Sequence, residues 1–401
     1  MLALIRKIED KSAFFIVIYF CWRNSFLPMP LPNLAHYVIV TAFAFFTTLK
    51  GVTIQHKTMF FLLCAALSNI IGNPDPIFRS WERWLIFILL ILMIGPLNKS
   101  RYSCIFKEKV FKYMLYGCIF MSVGSLVAYI SGNGMFYHGH GYFKGLYNHS
   151  MTLGPMAAIS AVFTFQQFLT DEIKYRRKYW LVLAILSVLM CMLASSRTAF
   201  VAMCLAVFIL LLATYKGRRN KMLGIVFVSG ILMTFTYPIW SSFTDGIRNK
   251  MAEQDLANNS RTELWKERIE EFKDAPIFGQ GFAAFDLNIS YNSYNLDTGG
   301  VEPGSSWLFV LSSLGCVGFI LFLLLVIPPT LNLLQSSKTK PDSVAITILC
   351  VSIIFMVHML SEGYILSAGS SECFFVWLCF ALIQENTLKA NNLYVKKWIE
   401  I

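Results

Sequence analysis

Arg197 is the first residue whose surroundings ask for chemistry. It lies between two apolar stretches, in "MCMLASSRTAFVAMCLAVFILLL" from Met190 to Leu212, with no acid near it along the chain. A guanidinium stays charged at any relevant pH and grips phosphate oxygens through paired hydrogen bonds. Ser195, Ser196 and Thr198 would add hydroxyl donors beside it. The alternative is an arginine at a helix end that reaches to the lipid headgroups and closes a turn. A second cation, Arg261, sits in "NNSRTELWKERIEEFKDAPIFGQGF", residues 258–282. Ser260 and Glu263 form a capping box that starts a helix at Arg261. The free N–H groups and dipole of that first turn already favour an anion. Trp265, Ile269 and Phe272, at i, i+4 and i+7, give that helix one apolar face expected to lie on the membrane bundle, and the alternative is an ordinary amphipathic surface helix whose Arg261 is solvated.

Proton acceptors are fewer. "HGHGYFKGLYNHSMTLGP", residues 138–155, holds three histidines, but no carboxylate or cysteine accompanies them, so the stretch lacks a metal-ligand set. His149, beside Asn148 at a helix start, suits a polar contact to a sugar or a proton transfer, with helix capping as the alternative. Glu362 falls at the end of an apolar run, in "HMLSEGYILSAGSSECFF". An acid there is costly without a partner, so it either pairs with an arginine or meets substrate. Glu302, in "VEPGSS", is a carboxylate suited to accept a proton from a hydroxyl, or else a solvated loop acid.

Long apolar blocks must position these groups. The chain has 401 residues, is 56% hydrophobic and only 14% charged, with a formal charge of +11. Blocks able to cross a hydrocarbon core, which takes roughly 20 residues as a helix, recur along it. A β-barrel would show short alternating segments instead. The expected fold is an all-α polytopic membrane protein forming a single integral membrane domain over 1–401. Twelve helix cores fall at 12–28, 34–49, 58–72, 84–98, 110–131, 150–170, 178–195, 198–215, 222–240, 305–334, 343–362 and 371–384. The loop 241–304, between the ninth and tenth, is the one large connection and carries the amphipathic helix. The cysteines number 10 and lie mostly in apolar runs without a C-x-x-C pair, which reads as buried small hydrophobes. The basic N-terminus followed by "SAFFIVIYFCW" has no small-residue cleavage site and reads as a retained first helix.

With the N-terminus in the cytoplasm, alternate connections are basic, as in "DEIKYRRK" and "YKGRRNK", and the inside segments hold 23 of the 34 Lys and Arg residues. The positive charge is thus a topological signal and an attraction to anionic lipid, not a nucleic-acid footprint. Both termini are expected in the cytoplasm. Arg197, the connection 132–149, the loop 241–304 and the connection around Glu362 are all expected on the outer face, away from any nucleotide supply.

Five of these stretches in this order resemble the O-antigen ligase/O-antigen polymerase superfamily of bacterial envelope glycosyltransferases: "GLYNHSMTLG", "SSRTAF", "SRTELW", "APIFGQGF" and "SSWLFVLSSLGCVGF". The resemblance covers roughly 145 to 380. It implies an inner-membrane enzyme with about a dozen helices and a large periplasmic loop. Its donor would be an undecaprenyl-pyrophosphate-linked glycan and its acceptor a sugar hydroxyl, with no nucleotide, metal or other cofactor. It further implies that Arg197 and Arg261 bind the donor pyrophosphate; the Ser196 hydroxyl beside Arg197 is expected to join them, and a chain-length regulator protein is a candidate partner. Ligases, and many polymerases, begin the last motif with His-Asn; here the pair reads Gly304-Ser305. The base would then be Glu302, His149 or Glu362. A polymerase of O-antigen, capsule or exopolysaccharide is the expected function. A ligase to lipid A core is the nearest alternative, and a transporter or flippase of lipid-linked glycans is a further one.

Overall fold

The computed structural model describes residues 2–27, 33–49, 51–138, 142–215, 260–289, 294–295, 300–339 and 342–390. The expected ninth helix at 222–240, His140 and the first part of the long loop lie outside the described residues. The described chain is helical apart from short turns and two pairs of two-residue strands. These are Tyr137–His138 with Tyr142–Phe143, and Tyr294–Asn295 with Gly300–Val301.

The helices, in chain order, are α1 (Leu2–Arg23), α2 (Asn33–Thr48), α3 (His56–Gly72), α4 (Ser80–Met93), α5 (Arg101–Ser131) and α6 (Ser150–Thr170). There follow α7 (Lys174–Leu193), α8 (Arg197–Thr214), α9 (Ser260–Asp274), α10 (Ser306–Thr339), α11 (Ser343–His358) and α12 (Ser371–Ala390). By length and hydropathy, 3 of the described helices suffice to cross a membrane: Arg101–Ser131, Arg197–Thr214 and Ser306–Ser337. Shorter apolar helices, Leu34–Thr48, His56–Gly72 and Ser343–His358, accompany them. Local chemistry sets several ends. Ser100 caps α5, accepting from the Ser103 N–H, and Gly132 closes it in the left-handed region at φ 64°. The turn between α7 and α8 is tight enough to put Ser195 at φ 54°.

α12 is apolar on every side and buried along 371–383, the pattern of a helix at the centre of a bundle. Trp377 on it is fully buried among Phe61 of α3, Phe87 of α4 and Phe322 of α10. Its indole N–H donates to the Ile365 carbonyl at 2.9 Å, so the only polar atom of the ring is satisfied.

The connections gather at two ends. At one, Ser25 pairs with Tyr147 and Asn148 N–H donates to the Asn24 carbonyl, while Ser306 N–H lies within 2.9 Å of both the Met359 and Glu362 carbonyls. At the other, Ile54 pairs with Asn98, with Gln55 N–H on the Leu97 carbonyl and Lys99 N–H on the Thr53 carbonyl. Two of the connections expected to share the basic side are therefore hydrogen-bonded to each other.

α10 departs from the uninterrupted helix expected over 305–334. It breaks at Gly315, with φ 63° and ψ −172°. The backbone groups released by the break are taken up by the segment after α9. Cys316 N–H donates to Pro276 O at 2.8 Å and Val317 N–H to Ile277 O at 3.3 Å. In return Gln280 and Gly281 N–H donate to Ser312 O and Ser313 O. A Cβ at Gly315 would come within 2.3 Å of the Ile277 carbonyl, so only glycine lets the two backbones meet. Inside an apolar bundle, non-helical backbone survives only where protein supplies such partners. "APIFGQGF" and "SSLGCVGF", far apart in sequence, are one hydrogen-bonded unit.

α9 also corrects an expectation. Trp265 and Ile269, read as its buried face, are 39% and 41% exposed, while Arg268 and Glu271 are fully buried. Their ion pair closes at 3.1 Å, the guanidinium stacks 3.5 Å over the Phe285 ring, and Asp286 N–H donates to the Glu271 carboxylate at 3.2 Å. A charged pair buried with these partners displaces the apolar stripe because the segment it must grip, 280–286, offers a ring and backbone donors.

Candidate functional site

A cavity of about 680 Å3 opens at the end of the bundle where Asn24 meets Asn148. Its wall brings together His149, Arg261, Glu302 and Glu362, four of the side chains singled out by the sequence, from stretches up to 213 residues apart. Arg23 and Glu372 add further charge to the lining, and Asn24, His358 and several hydroxyl side chains add polar groups.

Arg261, on the first turn of α9, is aimed at the connection between α11 and α12 and forms an ion pair with Glu362. The same Nη2 lies 3.8 Å from the Met151 sulfur. Both partners stay reachable, with side-chain exposures of 30% and 23%. Glu362 is held in place through its backbone: its carbonyl accepts from Ser306 Oγ at 2.7 Å, and Ser306 Oγ in turn accepts from Tyr364 N–H at 3.1 Å. Desolvation pushes the Glu362 carboxyl up to about 7, against the opposing pull of Arg261 and with help from the nearby charges of Glu302 and Glu372. A carboxyl that titrates near neutrality is suited to take a proton and give it back.

His149 caps α6. Its Nδ1 accepts from Met151 N–H at 3.1 Å. While that bond uses the lone pair of Nδ1, a neutral ring carries its proton on Nε2. Glu302 is exposed at the rim, before Pro303, which lies against Gly363; a Cβ on Gly363 would come within 2.4 Å of the Pro303 ring.

Gly304 shows why the pair Gly304-Ser305 differs from His-Asn. It adopts φ 71°, a Cβ there would sit 2.8 Å from Leu264 Cβ, and Trp265 Nε1 donates to its carbonyl at 3.1 Å. The position is filled by α9, and Ser305 Oγ is occupied with the Met359 carbonyl at 3.2 Å. A side chain at 304 would be strained, because its Cβ would meet Leu264 and its backbone lies at positive φ.

Arg197 and Ser196 are placed differently. Arg197 opens α8 and is exposed, and neither residue is among those lining the cavity. Ser196 is buried against α6, where Gly154 makes room; a Cβ at Gly154 would lie 2.7 Å from Ser196 Cβ. One turn links Arg197 to the cavity: Thr198 Oγ1 and Ser361 Oγ are 2.7 Å apart, and Ser361 lines the wall beside Glu362.

Sequence reasoning missed Arg23, Asn24 and Glu372. Arg23 ends α1, where a cation also meets the negative end of the helix dipole, and its Nε donates to Gly369 O at 2.8 Å. Asn24 Nδ2 donates to the Glu372 carboxylate at 2.9 Å and to Ser371 Oγ at 2.7 Å. The available signals were a basic residue at the end of an apolar run and an acid opening one.

The fold and site together define a helical membrane protein with a titratable, arginine-bearing cavity at one end of its bundle. Residues 182–323 match the family described as O-antigen ligase, a match that supports the resemblance to the O-antigen ligase/O-antigen polymerase superfamily. It contains Arg197, Arg261, Glu302 and the Gly304-Ser305 pair; His149 and Glu362 lie outside it. The chain is also similar to an uncharacterized protein of Haemophilus influenzae, 24% identical over 236 residues. That similarity covers 54% of this chain and 57% of the relative, so the chain spans little more than half of that protein's length.

Proposed function

We propose that the protein is a bacterial inner-membrane glycosyltransferase that polymerises glycan repeat units carried on undecaprenyl pyrophosphate, working at the periplasmic face. The observation that carries this reading is the Arg261–Glu362 pair inside a polar cavity, beside the turn that holds Arg197. A departing pyrophosphate needs cations where its charge develops, and an attacking hydroxyl needs a group that takes its proton.

The cavity wall carries two arginines but three carboxylates, so it favours neutral hydroxyl-rich sugar more than a lone anion. The acceptor sugar therefore occupies the cavity, and the donor pyrophosphate lies at its edge between Arg261 and Arg197, with the Ser196 turn behind. Glu362 takes the proton from the acceptor hydroxyl, and Glu302 at the rim is its rival. The hydroxyl oxygen bonds to the anomeric carbon, the bond from that carbon to the pyrophosphate oxygen breaks, and its electron pair stays on the pyrophosphate, held by the guanidiniums. His149, with its proton on Nε2, orients a sugar oxygen by donating to it.

The deciding experiment incubates the purified protein with lipid-linked repeat units, with and without lipid A core. A ladder of lengthening glycan supports the polymerase. Transfer to lipid A core makes it a ligase instead, and the absence of both overturns the enzymatic reading in favour of transport.

A further inference from the structure

The opposite end of the bundle has a cleft of its own. Pro328 and Pro329 stand in the middle of α10, and neither has an N–H to give. The carbonyls four residues earlier, on Leu324 and Leu325, thereby lose their helical donors. Gln384 of α12 supplies one replacement, its Nε2 donating to Leu325 O at 3.0 Å. The space beside the two prolines is a cleft of about 250 Å3. Leu324, in its wall, is 48% exposed, so the cleft opens on the side of the bundle that meets acyl chains.

Its rim is basic. Lys57, at the start of α3, and Lys99, before α5, both line it, and no acid is among the lining residues. Lys99 is fixed by its backbone bond to Thr53 O at 2.8 Å and, with the Gln55 amide turned to satisfy its neighbours, by the Gln55 oxygen 3.2 Å from Nζ. The nearest acid of α12, Glu385, is committed to buried Lys107 at 2.8 Å. Two ammonium groups are left facing an apolar slot that opens to lipid. Neutral lipid would gain nothing from the ammoniums, and a soluble anion nothing from the slot.

We propose that this cleft is a binding site for an anionic phospholipid, whose phosphate sits between Lys57 and Lys99 while an acyl chain lies along the proline-kinked face of α10. Basic pockets between membrane helices hold acidic headgroups in this manner. The site is independent of the glycan cavity and of the reaction proposed there.

The test uses the full-length protein purified in neutral detergent, with lipid binding followed by native mass spectrometry. Phosphatidylglycerol should bind about thirtyfold more tightly than phosphatidylcholine, given two lysines near one phosphate. The Lys57→Gln/Lys99→Gln variant should bring that preference to within about threefold, and Lys57→Arg/Lys99→Arg should keep it. Thermal unfolding of each variant checks that it is folded. If the double glutamine variant does not fold, Lys57→Gln alone, at an exposed position, should reduce the preference about fivefold. Equal binding of the two lipids, or an unchanged preference in the glutamine variants, overturns the proposal. Displacement of phosphatidylglycerol by millimolar inorganic phosphate also overturns it, because the ligand would then be the free anion.

Discussion

Arg261 and Glu362, 101 residues apart in the chain, form an ion pair across the candidate cavity. One belongs to the amphipathic helix after the undescribed part of the large loop, the other to the short connection between two bundle helices. The pair ties the loop to the bundle and places a cation beside a carboxyl that titrates near neutrality. Each property can be tested separately.

Glu362 should govern the pH dependence. With its carboxyl raised to about 7, the fraction able to accept a proton grows as pH rises through neutrality. Glycan transfer should therefore fall on the acid side with a midpoint near 7, and Glu362→Gln should remove that limb along with most of the activity. The same shift has a consequence for folding. A carboxyl raised from 4.5 stabilises the fold at low pH and loses that contribution as pH climbs to about 7. Unfolding midpoints of Glu362→Gln should depend less on pH across that window than those of the unaltered protein. An acid limb that persists in Glu362→Gln assigns the proton to another group, with Glu302→Gln the next variant to measure.

The arginines should matter through geometry as well as charge. Arg197→Ala and Arg261→Ala should each lower chain extension by a factor on the order of 100 or more, with normal amounts of protein in the membrane. Lysine at either position keeps the charge but loses the two-pronged grip on phosphate, so it should restore little. A full polymer ladder from either alanine variant removes that arginine from the pyrophosphate site.

Arg23 gives a prediction that distinguishes the cavity from the edge. It lines the cavity, where sugar is expected, so Arg23→Gln should weaken acceptor binding more than donor binding. Initial rates measured against each substrate would show a raised apparent KM for the acceptor alone. An equal rise for both would move the pyrophosphate into the cavity.

The buried pair of α9 should be worth more in its absence than in its presence. Glu271→Ala leaves Arg268 charged and enclosed, which costs about 3–5 kcal/mol in comparable sites. The double variant Arg268→Met/Glu271→Leu removes both charges and should be closer to the unaltered protein in thermal unfolding. Burial already pulls the Arg268 guanidinium down to about 10, with Glu271 and Glu267 opposing, so the group depends on its partners.

Gly315→Val should disrupt the seam between α10 and the segment after α9. Its side chain would have to occupy the 2.3 Å gap to the Ile277 carbonyl in a left-handed backbone conformation. Limited proteolysis should then cut near 276–286, and activity should disappear with it.

Much of this molecule was legible one residue at a time. Apolar block lengths announce helices through the cost of unpaired backbone in hydrocarbon; the described helices overlap most of the expected cores, and 3 of them are long and apolar enough to cross a membrane. The Arg197 turn, the start of α9 near Arg261 and the strategic position of Glu362 followed from local composition. The inward face of α9 did not, because periodicity measures hydrophobicity and cannot see that segment 280–286 presents a ring and backbone donors to a charged pair. Nor could it show that the apolar run of α10 is broken, since a glycine in a helix looks alike whether or not another backbone approaches it. The sequence by itself determined a helical membrane protein with arginines and acids concentrated in a few connections, because those properties are local and additive. Only the tertiary structure decided that Glu362 meets Arg261, that Arg23 and Glu372 share their cavity, and that Arg197 stands at its edge, because these relationships depend on how distant helices pack.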